Sequence, residues 1–195
     1  MNKNEEKRIK ILKHAQELFA RYGLYKTSVD EIAKKARMGK STIYYYFKSK
    51  EAIFEAVLQD EMEVLLKKVK TAIEQTKSPR KKFENYVIAR IISVKELVNI
   101  YSAIKDDFML HYAFIEEFRK DFDKEEIRMI KDILSDGIKK KEFEISDLDM
   151  TAFAIGTALK GLEYEWAIKT KEDDIEKNVN NLLGIIFYGI MTGKR

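Results

Sequence analysis

Thr27-Ser28-Val29-Asp30-Glu31-Ile32-Ala33-Lys34-Lys35-Ala36-Arg37-Met38-Gly39-Lys40-Ser41-Thr42-Ile43-Tyr44-Tyr45-Tyr46-Phe47-Lys48-Ser49-Lys50 reads as two short helices around a tight turn. Ser28 and Glu31 have the three-residue spacing of a capping box, in which hydroxyl and carboxylate each satisfy a free amide at the helix start. Val29, Ile32, Ala33 and Ala36 then form an apolar stripe at helical spacing. The turn falls at Arg37 to Gly39. The second helix opens at Lys40 and places Ile43 and Phe47 on one face, while Ser41, Thr42, Tyr44, Tyr45 and Tyr46 supply hydroxyls around the rest. Hydroxyls and lysines at this density suit phosphates and base edges, so the segment reads as a DNA-binding helix-turn-helix.

Working outward, Ile11, Ala15, Leu18 and Tyr22 fall at i, i+4, i+7 and i+11 and predict an amphipathic helix before the motif. From about Glu6 to Gln59 the chain closely resembles the amino-terminal domain of TetR-family transcriptional regulators. The resemblance is carried by Arg21-Tyr22-Gly23, by Thr27 to Ala33 and by Gly39 to Glu51. It implies that the second motif helix enters the major groove. Thr27, Ser28, Lys40 and Lys50 match positions that hold the phosphate backbone. Tyr44, Tyr45 and Tyr46 match positions contacting phosphates or bases, and Ser41 and Thr42 sit where base edges come within reach. Tyr45 and Tyr46 could instead cover the head's own core. One position departs from the family: Arg37 replaces the usual turn glycine, and a left-handed non-glycine residue there costs about 1 kcal/mol.

Charge is distributed in the same sense. The first 50 residues hold 13 Lys and Arg against 5 Asp and Glu, whereas the remaining 145 hold 24 against 28. A basic head on an acidic body is what a polyanion-binding segment needs. With no cysteine, disulfides and thiolate metal sites are excluded. The longest uncharged run, Asn178 to Gly193, has 16 residues including three Asn, short of the roughly 20 apolar residues of a membrane span; the expectation is a cytoplasmic chain without a membrane partner. Two histidines, no cysteine, and no phosphate-cradling glycine loop, HExxH pair or nucleophile elbow leave little from which to build catalysis. No catalytic residue, metal ligand or cofactor is assigned.

A single proline, Pro79, and eight glycines predict long helices, and no stretch alternates like a strand; the fold is expected to be all α. Ser49 caps a helix from about Lys50 to Glu74. Ser78-Pro79 opens another near Arg80. A bend is expected around Lys95 to Asp107, then a helix from His111 or Tyr112 to Lys140 ending in the basic cluster Lys139-Lys140-Lys141. Ser146 with Asp149, and Thr170 with Asp173, predict two further capped helices. The resemblance implies nine helices: a helix-turn-helix head over residues 5–65, with its motif at about 28–47, and a ligand-binding and dimerisation body over 66–195.

The last two helices are apolar on more than one face and so must be buried from more than one side. In the resembled family they form a four-helix bundle with a second protomer. Phe153, Gly156, Leu159, Leu183, Ile186, Phe187 and Ile190 are the expected dimer contacts, a plain intramolecular core being the competing explanation. Tyr86, Arg90, Tyr101, Phe108, His111, Tyr112, Phe118 and Trp166 offer the apolar and polar mixture of a small-molecule pocket, or equally of an aromatic core; Arg90 and His111 could meet an anionic head. The function expected is a ligand-responsive homodimeric regulator, a repressor, that binds a palindromic DNA operator and is released by a small hydrophobic effector. The alternative is an architectural or adaptor DNA-binding protein without an inducer.

Overall fold

The computed structural model describes residues 2–97, 112–163, 165–166 and 170–189. Among these it contains eight helices: α1 (Lys3–Lys26), α2 (Val29–Ala36), α3 (Lys40–Tyr46), α4 (Lys50–Glu74), α5 (Pro79–Glu96), α6 (Tyr112–Lys139), α7 (Leu148–Glu163) and α8 (Glu172–Tyr188). The described residues contain no strand, so the fold is all α, as the scarcity of helix breakers predicts. The expected bend after Lys95 and any ninth helix fall mainly on residues 98–111, outside the described residues. The chain divides into two compact units, 1–64 with 97–118 and 65–96 with 119–195, the first boundary lying inside α4.

The first unit is built around α1, α2, α3 and the start of α4. Ile11, Ala15, Phe19, Ile32, Ala36, Ile43 and Ile53 are all buried, and the Phe19 and Phe54 rings meet edge to face at 5.0 Å. Burying one such aliphatic side chain contributes roughly 1.5–3 kcal/mol. Tyr22, expected on the apolar face of α1, is exposed, because Gly23 turns the chain at φ 78 and ends the regular helix one residue later. Only glycine takes that conformation without strain.

The second unit has its core on α5, α6, α7 and α8. Phe83, Val87 and Ile91 on α5 are buried with Ile130 on α6, Leu159 on α7 and Val179 on α8, and α5 packs against both α7 and α8. Ser78 caps α5 as expected, its hydroxyl accepting from the Lys81 amide at 3.4 Å with Pro79 first in the helix. The other two expected caps are corrected. Asp147, not Ser146, accepts from the Met150 amide at 2.9 Å and opens α7. The Thr170 hydroxyl donates to the Glu165 carbonyl at 3.0 Å, so α8 starts after Lys171 without a side-chain cap.

Two glycines in this unit, Gly156 and Gly137, serve its own packing. A methyl group on Gly156 would lie 3.3 Å from Ile127 Cγ1, so this glycine brings α7 close to α6 within the protomer. After α6 the chain reverses at Lys141 (φ 58), where the Glu142 amide donates to the Gly137 carbonyl at 2.9 Å. Phe143 folds back and stacks on Phe187, with centroids 5.6 Å apart. A methyl group at Gly137 would stand 2.0 Å from the Phe143 ring. Gly137→Ala is therefore expected to destabilise the protein by about 1–3 kcal/mol through overpacking, and the loss should be non-additive with that of Phe143→Ala in denaturant unfolding; full additivity would show that the ring is not the obstacle.

Candidate nucleic-acid interface

The capping box forms as its spacing predicts: the Ser28 amide donates to Glu31 Oε2 at 2.8 Å and the Glu31 amide donates to Ser28 Oγ at 3.2 Å. The Ser28 hydroxyl also donates to Glu31 Oε2 at 2.8 Å; that bond first, and the Ser28 amide second, hold the Glu31 carboxyl below its ordinary range, and the box fixes where α2 starts. Arg37 ends α2 in the left-handed region at φ 56, ψ 48, and the Met38 amide returns to the Ala33 carbonyl at 2.9 Å. The turn keeps the shape that glycine would favour, at the cost of a Cβ in that region. Arg37→Gly is expected to raise stability by roughly 0.5–1 kcal/mol, strain relief being partly offset by a looser unfolded chain. Thermal unfolding checks this, and a lower melting temperature would mean that Arg37 makes a stabilising contact.

The second motif helix, α3, is short and owes its position to what it packs on. Ile43 and Phe47 are buried beneath it, with the Arg8 guanidinium 5.7 Å over the Phe47 ring. The Tyr46 hydroxyl donates to Asn4 Oδ1 at 3.2 Å and its ring meets Tyr45 edge to face at 5.0 Å. Anchoring on that side leaves Lys40, Ser41, Tyr44 and Tyr45 facing outward, with Tyr45 75% exposed. Tyr46 is thus the tyrosine tied to the head's own frame, while Tyr44 and Tyr45 stand free of the core. Thr42 is half-buried, and Lys48 is exposed just beyond the helix.

Lysines at the two ends of this face are held differently. Lys40 Nζ sits 2.8 Å from Asp30 Oδ2, and that hydrogen bond with its charge attraction raises the ammonium pKa. Lys50 Nζ donates to the Tyr25 carbonyl at 3.4 Å. Ser28 is exposed beside its cap. Thr27 lies elsewhere: it is 2% exposed, and its hydroxyl donates to the Gly23 carbonyl at 2.8 Å, closing the end of α1. A threonine four residues after a break-prone glycine carried that signal, which the phosphate assignment overlooked.

In the second unit, Tyr86 and Arg90 are brought together on Glu126. The Tyr86 hydroxyl donates to Glu126 Oε1 at 3.0 Å; Arg90 Nε donates to the same oxygen at 2.5 Å and its Nη2 donates to Glu126 Oε2 at 3.1 Å and Glu163 Oε2 at 2.7 Å. Arg119 grips Glu163 with both terminal nitrogens, at 2.9 and 3.0 Å. All five side chains are buried. Burial alone would raise the Glu163 pKa, but Arg119 and Arg90 overcome it and hold the carboxyl at about 2. Burial, then the Glu126 charge, pushes the Tyr86 phenol well up. Trp166 is half-buried. Tyr101, Phe108 and His111, and the side chains of Tyr112 and Phe118, lie outside the described residues.

The expected dimer residues separate by exposure. Phe153 and Ile186 are exposed, at 54% and 36%, whereas Leu159 and Leu183 are in the protomer's own core. Phe187 packs inside the protomer, 5.9 Å from Phe83 and stacked on Phe143. Ile190 lies outside the described residues. Among the described residues no group of three or more His, Cys, Asp or Glu is placed to hold a metal ion, and no helix is long and apolar enough to cross a membrane.

The family model for bacterial regulatory proteins of the tetR family matches residues 11–57, the span of the three head helices and the start of α4. The HTH-type transcriptional repressor KstR2 of Mycolicibacterium smegmatis is 30% identical over 149 residues, covering 74% of this chain and 70% of the relative. A transcriptional regulator from Cytophaga hutchinsonii has a crystal structure that is 30% identical, covers 93% of this chain and 97% of its own, and superposes with a TM-score of 0.74. The regulator FadR of Bacillus subtilis, solved in complex with stearoyl-CoA, shares the fold at a TM-score of 0.71, with 21% identity over 94% of this chain and 99% of that one. Motif geometry, the match over the head and full-length likeness converge, and the chain belongs to the TetR family of transcriptional regulators.

Proposed function

We propose that the protein is a ligand-responsive repressor that binds a palindromic operator as a homodimer, reading the major groove with α3 of each protomer. The observation that carries this is the outward face of α3: Lys40, Ser41, Tyr44 and Tyr45 project from a helix whose opposite side is pinned by Ile43, Phe47 and Tyr46. Ser28, Thr42, Lys50 and the adjacent Lys48 extend this surface toward phosphates. Residues 5–65 are the DNA-binding part and 66–195 the ligand-binding and dimerisation part. Two-fold symmetry would set the reading helices roughly 34–36 Å apart, one DNA turn, and so require an inverted repeat.

Dimerisation is supported by apolar surface on the last two helices: Met150 and Phe153 on α7, Ile185 and Tyr188 on α8 are all more than half exposed in the protomer. Phe153→Glu is expected to convert the dimer to a folded monomer, because it puts charge on this surface and leaves the protomer core untouched. Sedimentation at micromolar concentration reads the result, and an unchanged dimer places the interface elsewhere. Phe187 does not serve that test, since its ring supports Phe83 and Phe143 within one protomer.

The effector is a small, largely apolar molecule that binds in the body and favours the conformation unable to grip DNA. The stearoyl-CoA bound by the Bacillus subtilis regulator supports an acyl-type ligand. Moving a two-state population from 1:99 to 99:1 requires a preference of about 5.5 kcal/mol, which a long apolar chain can supply. Selection of genomic fragments by the purified protein at two salt concentrations tests the reading. One enriched inverted repeat that persists at the higher salt supports it; only salt-labile, sequence-indifferent binding would favour the adaptor alternative.

A further inference from the structure

Arg90 is the most completely enclosed cation described in this chain. Its side chain is 1% exposed, its Nε is taken by Glu126, and its Nη2 is shared between Glu126 and Glu163. Nη1 is buried too, yet among the described residues it has no hydrogen-bond partner. A buried guanidinium donor left unmade forfeits its hydration without return, and folded proteins rarely leave such groups alone.

The charges around it constrain what can satisfy it. Among the described residues Arg90 and Arg119 face Glu126 and Glu163, two cations and two anions. Arg119 is committed to Glu163 through Nη1 and Nη2, and reaches Asp123 through Nε at 3.4 Å. Asp123 also takes Lys160 Nζ at 2.7 Å, which extends the network without adding net charge. A carboxylate brought to Nη1 would give up its hydration, find no surplus positive charge, and stand near two carboxylates of like sign. A carbonyl oxygen would fill the donor with none of those penalties.

We infer that Arg90 Nη1 receives a neutral carbonyl of the effector, an ester, thioester or amide on an apolar chain, and not a free acid. This rests on the effector reading of the body and narrows its polar end. It also reverses the expectation, drawn from the sequence, that Arg90 meets an anionic head: the arginine is present, but its charge is spent on Glu126 and Glu163.

The test compares dodecane, methyl dodecanoate and dodecanoate on the full-length protein, by calorimetry and by the fluorescence of Trp166, the single tryptophan. Methyl dodecanoate is expected to bind at least about tenfold more tightly than either of the others, since a hydrogen bond to a charged donor is among the stronger ones. Its carbonyl stretch should move to lower wavenumber on binding. Arg90→Lys keeps the cation and loses the fork, so the ester's advantage should shrink and the stretch return toward its free value; where that variant does not fold, the probe series and the infrared shift on the unaltered protein decide. Tightest binding by dodecanoate overturns the inference, as does an ester no better than dodecane with an unshifted carbonyl, which assigns Nη1 to a buried water alone. Both results leave an apolar effector standing, whereas failure of all three probes to bind removes the effector reading and this inference together.

Discussion

Glu163→Gln is expected to cost the protein about 3–5 kcal/mol, the range seen when one partner of a buried ion pair is removed and the other charges remain. Among the described residues Glu163 is the only carboxylate that touches both arginines of the cluster, and it lies 73 residues from Arg90 and 44 from Arg119 in sequence. With glutamine there, Arg119, 5% exposed, loses its two shortest carboxylate contacts and keeps Asp123 at 3.4 Å. Denaturant unfolding followed by circular dichroism measures the loss. A change below about 1 kcal/mol would show that solvent reaches the cluster.

The same group makes a prediction about acid. Glu163 titrates at about 2 in the folded protein against an ordinary 4.5, so the unfolded chain takes up its proton first. The stability it contributes is complete above pH 4.5 and is lost as pH falls from 4.5 toward 2. Unfolding free energy measured across that window should fall more steeply for the unaltered protein than for Glu163→Gln. Parallel curves would contradict the assignment of the depressed carboxyl to this residue.

Tyr44→Ala is expected to weaken operator binding by about 1–3 kcal/mol, roughly 5- to 150-fold, while leaving the unfolding midpoint nearly unchanged. The asymmetry follows from placement: Tyr44 is 47% exposed, one residue after the fully buried Ile43. Ile43→Ala should do the reverse, lowering stability by about 2–5 kcal/mol through a cavity and weakening DNA binding only as the head loosens. Fluorescence anisotropy on the selected operator separates the two, and unaltered affinity in Tyr44→Ala would move the reading surface away from α3.

What was legible in the sequence was what depends on near neighbours. The capping box at Ser28 and Glu31, the proline start of α5 and the apolar stripe of α2 are set by residues within four positions, and each stands where its pattern placed it. The left-handed Arg37 was visible by another route, because the resemblance puts a turn glycine at that position. Misreadings arose where a side chain's partner is distant, or where two neighbours compete for one role. Nothing beside Arg90 in the sequence announces Glu126 and Glu163, so the partners that take up its charge were not legible there. The packing of Gly156 on Ile127 and Ile130 was not legible because they lie on another helix. Ser146 and Asp147 are both good caps, and only the geometry of the chain end chose the aspartate. Thr27 had a phosphate role by resemblance, while its hydroxyl had a nearer acceptor at Gly23.

Before any DNA arrives, the Lys40 ammonium already has a counterion 2.8 Å away, supplied by Asp30 of the preceding helix. A phosphate approaching Lys40 must compete with that carboxylate, so this lysine displaces fewer cations from the duplex than an unpaired one would. With Lys40 in its proposed phosphate role, grip on arbitrary sequence would be lowered and the time spent at each wrong site shortened. On the proposed role of α3, a searching head of this kind would inspect more positions per second, and its dwell time would depend on the tyrosines and serine of α3 finding base edges.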